Sequence, residues 1–320
     1  MALNTIEYAT LLQQELDKVI MEQLLTGWME INAGMVRYNG GKEVKIPKLE
    51  TTGLGNYNRS GEGDAYTKGK VTLEYETRTM TQDRGASFEI DAMDVDETNY
   101  VLTSSTIMGN FQETQVVPEI DAYRLSTVAT YGLEADDYED NYTPNPVDIV
   151  SKIKKGIASI RDKGYNGPLV CHITNEALLS VQENTLTRLQ AQTFAGAGIN
   201  TEVPMIDNVP LIPTPQNRMY SKIDLLDGKT GGQEQGGYKK ADDAVELNFI
   251  IVAKTTPKAI TKQDVMRIFD PNTNQFANAW KMDYRRYHDV WVLDNEVGTI
   301  FVNTKGTYSK AMAKAGAKKK

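Results

Sequence analysis

The first part of the chain has the spacing of an amphipathic helix. Apolar side chains recur every three or four positions between residues 4 and 26, with Asn4 as a suitable N-cap and Gly27 as the expected stop. The apolar stripe of such a helix needs a partner, either the body of the chain or a neighbouring copy. Its members are Ile6, Leu11, Leu12, Leu16, Val19, Ile20 and Leu24.

From residue 40 to residue 92 the apolar period changes to two, which predicts strands. Residues 44–49 and 70–80 alternate, and the stretch 53–69 between them holds five glycines. We interpret the whole as an extended hairpin, with residues 82–85 as a turn or bulge before a further strand. Since the segment has few large apolar residues, it is expected to project from the body.

A dense acidic run follows, EIDAMDVDET at 89–98. Glu89 and Asp91 alternate with apolar residues, which predicts the exposed face of a strand, whereas Asp94 and Glu97 have the spacing of a capping box. The acids therefore predict a junction between a strand and a helix. An EF-hand is excluded because the spacing is wrong and the loop glycine is missing.

The helix that begins at Asp94 is expected to run to Ala129, with a kink or break at Pro118. The acidic run 134–140 is interpreted as a solvated linker, and 227–240, with five glycines, as a flexible loop. Helices and strands mix without regular alternation, which is typical of an α+β fold. Helices are predicted at 145–163 and 175–191, and strands at 168–174, 203–215, 245–254, 281–293 and 299–303.

Composition narrows the classes of function. The chain has 320 residues, enough for two domains, and a net charge of −8. An acidic body disfavours sequence-specific DNA binding, although the last sixteen residues carry six lysines and no acid. No apolar run reaches the roughly 18 residues that a membrane span needs. The single cysteine, Cys171, rules out an internal disulfide or a Cys-based zinc site.

No catalytic motif is present. His172 lies beside Cys171 in an apolar strand, and adjacent strand residues point to opposite faces, so a packed histidine is favoured over a catalytic pair. The stretch 63–71 imitates a P-loop but has the wrong glycine spacing and precedes a strand. We therefore expect no enzyme activity, no cofactor and no metal.

Three runs, VVPEIDAYRLS (116–126), VPLIPTPQNRMY (209–220) and FANAWKMDYRRYHDVWVLDNEVGTIFV (276–302), together resemble a major capsid protein of a tailed bacteriophage. The likeness is to phages of Gram-positive hosts and covers roughly residues 40–302 in order. It implies the α+β tailed-phage major capsid fold, the Hong Kong 97 type. The domains it implies are an N-terminal arm (1–38), an E-loop hairpin (39–93), a peripheral domain spine helix and linker (94–144), an axial domain (145–243), peripheral return strands (244–304) and a basic tail (305–320).

The resemblance implies a protein that assembles with itself, as pentamers and hexamers, into an icosahedral shell around double-stranded DNA. It further implies a separate scaffold protein and a portal as partners, non-specific contact with the DNA, no membrane, and a virion capsid assembled in the host cytoplasm. The alternatives are an encapsulin-type cellular compartment and a metal- or nucleotide-dependent enzyme. Candidate contacts between subunits are Leu12, Leu16, Val19, Tyr66, Lys68, Lys70, Arg78, Arg84, Asp94 and Glu97. Lys68 and Lys70 lie near the loop tip, but no partner for an isopeptide cross-link can be matched.

Overall fold

The computed structural model describes residues 24–35, 37–38, 42–57, 59, 66–97, 104–184, 190–196, 199–274 and 276–309. Contacts divide the chain into two compact units, Ala33–Thr81 and the combination of Met1–Asn32 with Gln82–Lys320. Most of the predicted N-terminal helix and the last eleven residues lie outside the described residues. Within the described part, no helix is long and apolar enough to cross a membrane.

The secondary structure mixes strands and helices, as predicted. The helices are α1 (Ala92–Glu97), α2 (Ser104–Phe111), α3 (Val117–Glu134), α4 (Ile149–Asp162) and α5 (Asn175–Glu183), with short 3-10 helices at Gly27–Met35, Gln216–Arg218 and Val297–Thr299. The strands are β1 (Arg37–Tyr38), β2 (Glu43–Thr51), β3 (Val71–Thr79), β4 (Gln82–Asp91), β5 (Tyr138–Glu139), β6 (Leu169–Thr174), β7 (Gln190–Gly196), β8 (Ile199–Ile206), β9 (Val209–Thr214), β10 (Ile223–Leu225), β11 (Tyr238–Lys240), β12 (Leu247–Ala253), β13 (Lys258–Phe269), β14 (Ala279–Trp291) and β15 (Ile300–Thr304).

The smaller unit is the predicted hairpin. Strands β2 and β3 pair antiparallel over their whole length, with Leu49 opposite Leu73 and Thr51 opposite Val71, and β1 adds to the other edge of β2. The alternating pattern of both segments produces this ladder, because side chains two residues apart share a face. The hairpin prediction is confirmed for the strands.

The prediction of a turn at residues 82–85 is wrong. These residues belong to β4, which pairs with β14 from Gln82 opposite His288 to Asp91 opposite Ala279. Gly85 lets β4 and β14 approach closely, since a Cβ there would lie 2.7 Å from the carbonyl oxygen of Tyr284. With β13 on the far side of β14, the three strands form a separate sheet.

The acidic junction is confirmed, but its cap is not the predicted residue. Glu89 and Asp91 are exposed at the end of β4, and α1 follows directly. The Asp91 carboxylate accepts a hydrogen bond from the Met93 N–H at 2.8 Å, so Asp91 caps the helix. Asp94 lies inside α1, and Glu97 ends it.

A long helical run, 104–134, crosses the larger unit. Its regular hydrogen-bonding pattern breaks into a π-turn at Gln112–Val116, where the Val117 N–H bonds to the Gln112 carbonyl. Pro118 lies in the first turn of α3, so the predicted irregularity is present directly before the proline. The run ends at Glu134 rather than at Ala129.

A seven-stranded sheet, ordered β5-β15-β12-β6-β9-β8-β7, forms the centre of the larger unit. One face packs against α3 and against Trp28 and Met29 at the start of the first 3-10 helix. The other face packs against α4 and α5, and the predicted isoleucine face of α4 is buried there. Segment 244–304 contributes β12 and β15 to this sheet but β13 and β14 to the sheet with β4.

Three local interpretations need correction. Gly27 begins a 3-10 helix instead of stopping an α-helix. The acidic run 134–140 is not only a linker, because β5 pairs parallel to β15 within it and the Glu139 carboxylate binds Lys152 at 2.6 Å. The expected loop at 227–240 contains hydrogen-bonded turns, and its last three residues form β11.

Candidate assembly surfaces

The hairpin carries an uncovered apolar surface. Leu49, Val71, Leu73 and Tyr75 share one face, which we term the hairpin face, and their exposed fractions are 62%, 68%, 55% and 41%. On the opposite face of the same ladder, Val44 is fully buried. Four large apolar side chains in adjacent rows form a contiguous patch of the kind that marks an interaction site.

Three of the predicted contact residues, Tyr66, Lys68 and Lys70, lie near the tip of the hairpin. Tyr66 is 77% exposed, and its ring meets that of Tyr57 edge-on at 4.9 Å. Lys68 and Lys70 are exposed, and the Lys70 backbone pairs with Thr52 where the strands begin to part. These residues stay predicted contacts.

The arginines among the candidates are engaged within the chain. Arg78 donates from Nε to Glu76 at 2.6 Å on the hairpin. Arg84 forms a two-pronged pair with Glu119 of α3, at 2.7 and 3.0 Å, and also donates to the carbonyls of Leu226 and Gly237. Arg84 therefore has a structural role inside the subunit that the sequence did not suggest.

The remaining candidates are only partly placed. Asp94 is exposed in the first turn of α1, and Glu97 is the last residue of that helix. Leu12, Leu16 and Val19 lie outside the described residues. Their role as contacts between subunits stays a prediction.

A buried group of charges anchors residues 25–30 to the body, and sequence reasoning missed it. Arg124, fully buried in α3, donates to the Glu30 carboxylate at 2.5 Å. Arg286 of β14 donates to Glu30 at 3.2 Å and to Asp264 of β13 at 2.7 Å. Burial opposes ionisation of Glu30, but the two arginine charges outweigh it and lower the pKa of this carboxyl below its usual value.

A second carboxylate completes this anchor. Asp121, fully buried one helical turn before Arg124, accepts hydrogen bonds from the Leu25 and Thr26 N–H groups at 3.2 and 3.0 Å. It also accepts from the Thr26 hydroxyl and from Arg218. The signal in the sequence was an acid and a base three residues apart, Asp121 and Arg124, between apolar neighbours of α3. Composition alone does not reveal that these charges hold residues 25–30.

His172 is a packed structural histidine, as predicted. Its Nε2 accepts a hydrogen bond from the Trp28 indole N–H at 3.2 Å, which fixes the neutral tautomer with the proton on Nδ1, facing the Thr214 hydroxyl at 3.2 Å. Burial lowers the pKa of His172 to about 3. Cys171 points into the opposite cluster, and burial raises the pKa of its thiol. The two side chains therefore form no nucleophile pair.

The described residues contain no group of three or more His, Cys, Asp or Glu side chains able to hold a metal ion. His288 of β14 is buried beside the Tyr123 ring at 5.8 Å, and burial together with Arg286 and Arg124 lowers its pKa well below the usual value.

The sequence and the structure were compared with those of known proteins. No family model and no curated protein matches the sequence. The structure is similar to one from Mycobacterium phage Che8, with a TM-score of 0.55 at 12% identity, covering 86% of this chain and 92% of that one. It is also similar to the capsid structure of the cyanophage P-SCSP1u, with a TM-score of 0.54 at 11% identity and 85% of each chain.

A third similar structure is the virus-like particle from Pyrococcus furiosus, with a TM-score of 0.51 at 10% identity, covering 93% of this chain and 99% of that one. Identities this low relate folds rather than sequences. The chain has the Hong Kong 97-type capsid fold, and the fold expected from the sequence is confirmed.

Proposed function

We propose that this protein is the major capsid protein of a tailed bacteriophage, which assembles with itself into an icosahedral shell around double-stranded DNA. The observation that carries the proposal is the capsid fold, shared with the two phage structures over 86% and 85% of the chain. The uncovered hairpin face supports it, because an apolar patch of this kind on one subunit is explained by burial against another.

In this proposal each part of the chain has a role in the shell. Residues 1–38 form an N-terminal arm that is attached to the body of the subunit at residues 25–30, and residues 39–93 form the E-loop hairpin. The helical run 104–134 is the spine helix. Subunits form pentamers and hexamers in the virion capsid, and assembly in the host cytoplasm involves a scaffold protein and a portal.

The second candidate is a cellular shell that encloses protein, favoured by the similarity to the archaeal virus-like particle. The two candidates differ in what the particle contains. Nuclease-resistant double-stranded DNA inside particles from infected cells supports the phage capsid, whereas particles that hold only a cargo protein support the compartment.

The hairpin face gives a direct test. Leu73→Glu is expected to reduce assembly strongly without lowering the stability of the isolated subunit, because Leu73 is more than half exposed there and a charge at a buried contact is costly. Glu74→Gln, at the next position on the other face of β3, is the matched control. Assembly yield is measured by sedimentation and subunit stability by urea unfolding. Equal yields for the two variants would show that the hairpin face makes no contact.

The hairpin tip should also respond to assembly. Digestion is expected to cut within residues 53–69 in isolated subunits and to spare them in shells, since neighbouring subunits then cover the strands. Mass spectrometry of the fragments locates the cuts, and the same susceptibility in both states is the contrary result.

The basic tail, residues 305–320, has two parts that can be deleted separately. Gly306 and Tyr308 are docked on the chain itself, because the Gly306 carbonyl accepts from the Asn141 N–H and the Tyr308 ring packs on Tyr138 at 5.5 Å. Truncation after Ser309 therefore removes five of the six lysines and leaves this contact intact. Truncation after Thr304 removes both.

The shorter deletion, after Ser309, is expected to reduce the amount of packaged DNA or the stability of the shell. High salt should have the same effect on shells of the full chain, because screening shortens the range of charge interactions from about 10 Å at 0.1 M to about 3 Å at 1 M. The deletion after Thr304 should also lower the free energy of unfolding of the subunit. Unchanged DNA content, assembly yield and shell stability for the shorter deletion would identify the lysines as a solvated end.

A further inference from the structure

The loop between α4 and β6 contains an exposed asparagine that is followed by a glycine. Gly164, with a φ of 93°, ends α4, and its N–H bonds to the Arg161 carbonyl at 2.9 Å. Asn166 is exposed, and within the described part of the chain neither its side-chain amide nor the N–H of Gly167 has a hydrogen-bond partner. The two groups that react when an asparagine loses its amide are therefore not held by other contacts.

The fold requires the glycine of this pair. The Tyr165 ring lies over Gly167, so a Cβ on Gly167 would lie 2.5 Å from the Tyr165 hydroxyl oxygen and 2.6 Å from its Cζ. The ring is held there because its hydroxyl donates to the Pro168 carbonyl at 3.2 Å and lies 3.3 Å from the Thr255 hydroxyl. Any other residue at position 167 would displace the ring. The same contact thus places glycine after Asn166, and glycine has no side chain to hinder attack by its own backbone nitrogen.

We propose that Asn166 is a site of spontaneous deamidation, an inference that does not depend on the proposed function. Asparagine is one of the chemically labile residue types. The deprotonated backbone nitrogen of Gly167 attacks Cγ of Asn166, a C–N bond forms, and the side-chain nitrogen takes a proton from water and leaves as ammonia.

The cyclic imide that results is opened by water. Cleavage of the bond between Cγ and the Gly167 nitrogen gives aspartate. Cleavage at the main-chain carbonyl of residue 166 gives isoaspartate, in which the backbone runs through the former side chain. In both cases the net change is that water is consumed and ammonia is released.

Isoaspartate would lengthen the backbone next to a buried strand. β6 begins at Leu169, and the Pro168 carbonyl accepts hydrogen bonds from the Lys254 N–H at 2.9 Å and from the Tyr165 hydroxyl. An added backbone carbon between Tyr165 and Pro168 shifts this hydroxyl relative to the carbonyl, and a carboxylate replaces a neutral amide. Aged protein should therefore differ from new protein in charge and in the stability of the start of β6.

Incubation of the purified protein at mildly alkaline pH tests the proposal, because base supplies the deprotonated nitrogen. Asn166 should be converted at least about tenfold faster than Asn141 in the same sample, a difference of about 1.4 kcal/mol in activation free energy. Asn141 is the matched control because it is also exposed but precedes Tyr142, whose N–H bonds to the Thr304 carbonyl at 3.1 Å. Mass spectrometry of peptides measures both positions, and labelling by an isoaspartyl methyltransferase identifies isoaspartate. Conversion of Asn166 no faster than that of Asn141 overturns the proposal.

Two variants separate the new charge from the lengthened backbone. Asn166→Asp carries the charge of the product on a normal backbone, whereas Asn166→Gln should stay unmodified because attack on its amide must close a larger ring. The thermal midpoint of aged wild type should fall below that of fresh Asn166→Asp, and Asn166→Gln should keep its midpoint during the same incubation. If Asn166→Gln loses as much of its midpoint as the wild type, the loss arises at another site and the proposed effect on β6 is wrong.

Discussion

Replacing Arg124 with methionine is expected to lower the free energy of unfolding of the isolated subunit by about 3–5 kcal/mol. Arg124 is fully buried and donates to the Glu30 carboxylate and the Thr26 carbonyl. Its loss removes one of the positive charges that stabilise the carboxylates of Glu30 and Asp121 in a low-dielectric environment. Urea unfolding monitored by tryptophan fluorescence measures the change. Trp28 lies in the anchored segment and reports on it directly.

Two controls separate this effect from a general loss of charge. Arg285→Met breaks an exposed pair with Asp83 and should change stability little, because water screens that pair. The double variant Glu30→Met with Arg124→Met should be more stable than Arg124→Met alone, since it also removes a buried carboxylate that would keep Arg286 as its one charged partner among those described. If Arg124→Met is as stable as Arg285→Met, the buried charges do not anchor residues 25–30.

The stability of the subunit is expected to fall as the pH drops from 6.5 towards 3, and His172 should supply a large part of the loss. Burial lowers the pKa of His172 from 6.5 to about 3, so between these values the unfolded chain binds a proton that the folded chain does not. The stabilising contribution of the neutral imidazole is fully present above pH 6.5, and its loss amounts to on the order of 5 kcal/mol by pH 3. Protonation would also cost the hydrogen bond that Nε2 accepts from Trp28.

The comparison is between the wild type and His172→Gln, whose amide can both donate and accept in place of the imidazole. The free energy of unfolding of the glutamine variant should depend less steeply on pH over this range, although the carboxylates contribute equally to both proteins. Parallel pH profiles for the two proteins would contradict the account of His172.

Segments with a regular apolar period could be predicted from the sequence, because the spacing of apolar residues within the segment determines which of its faces is buried. The alternation of β3 and the isoleucine spacing of α4 each put one face against a neighbour, whatever that neighbour is. Sheet order is different, because it depends on pairings between residues far apart in the chain. Nothing local indicates that β12 lies between β15 and β6 while β13, five residues later, joins another sheet.

The contact surfaces were predictable only in outline. The hairpin followed from its period, but the role of Arg84 did not, because its partners Glu119, Leu226 and Gly237 are 35, 142 and 153 residues away. The turns within 227–236 could not be predicted because glycine is compatible with many backbone conformations, and the sequence does not show that Gly228, Gly232 and Gly236 take positive φ. Buried charges are missed for a related reason: a sequence does not show which acids and bases meet.

The central claim is that this chain is the subunit of a closed shell, and electron microscopy of the purified protein tests it most directly. The protein is concentrated alone and with its scaffold protein, and the particles are classified by symmetry. The account predicts closed icosahedral shells built of pentamers and hexamers. A homogeneous population of monomers or small oligomers at high concentration, with scaffold present, would contradict it.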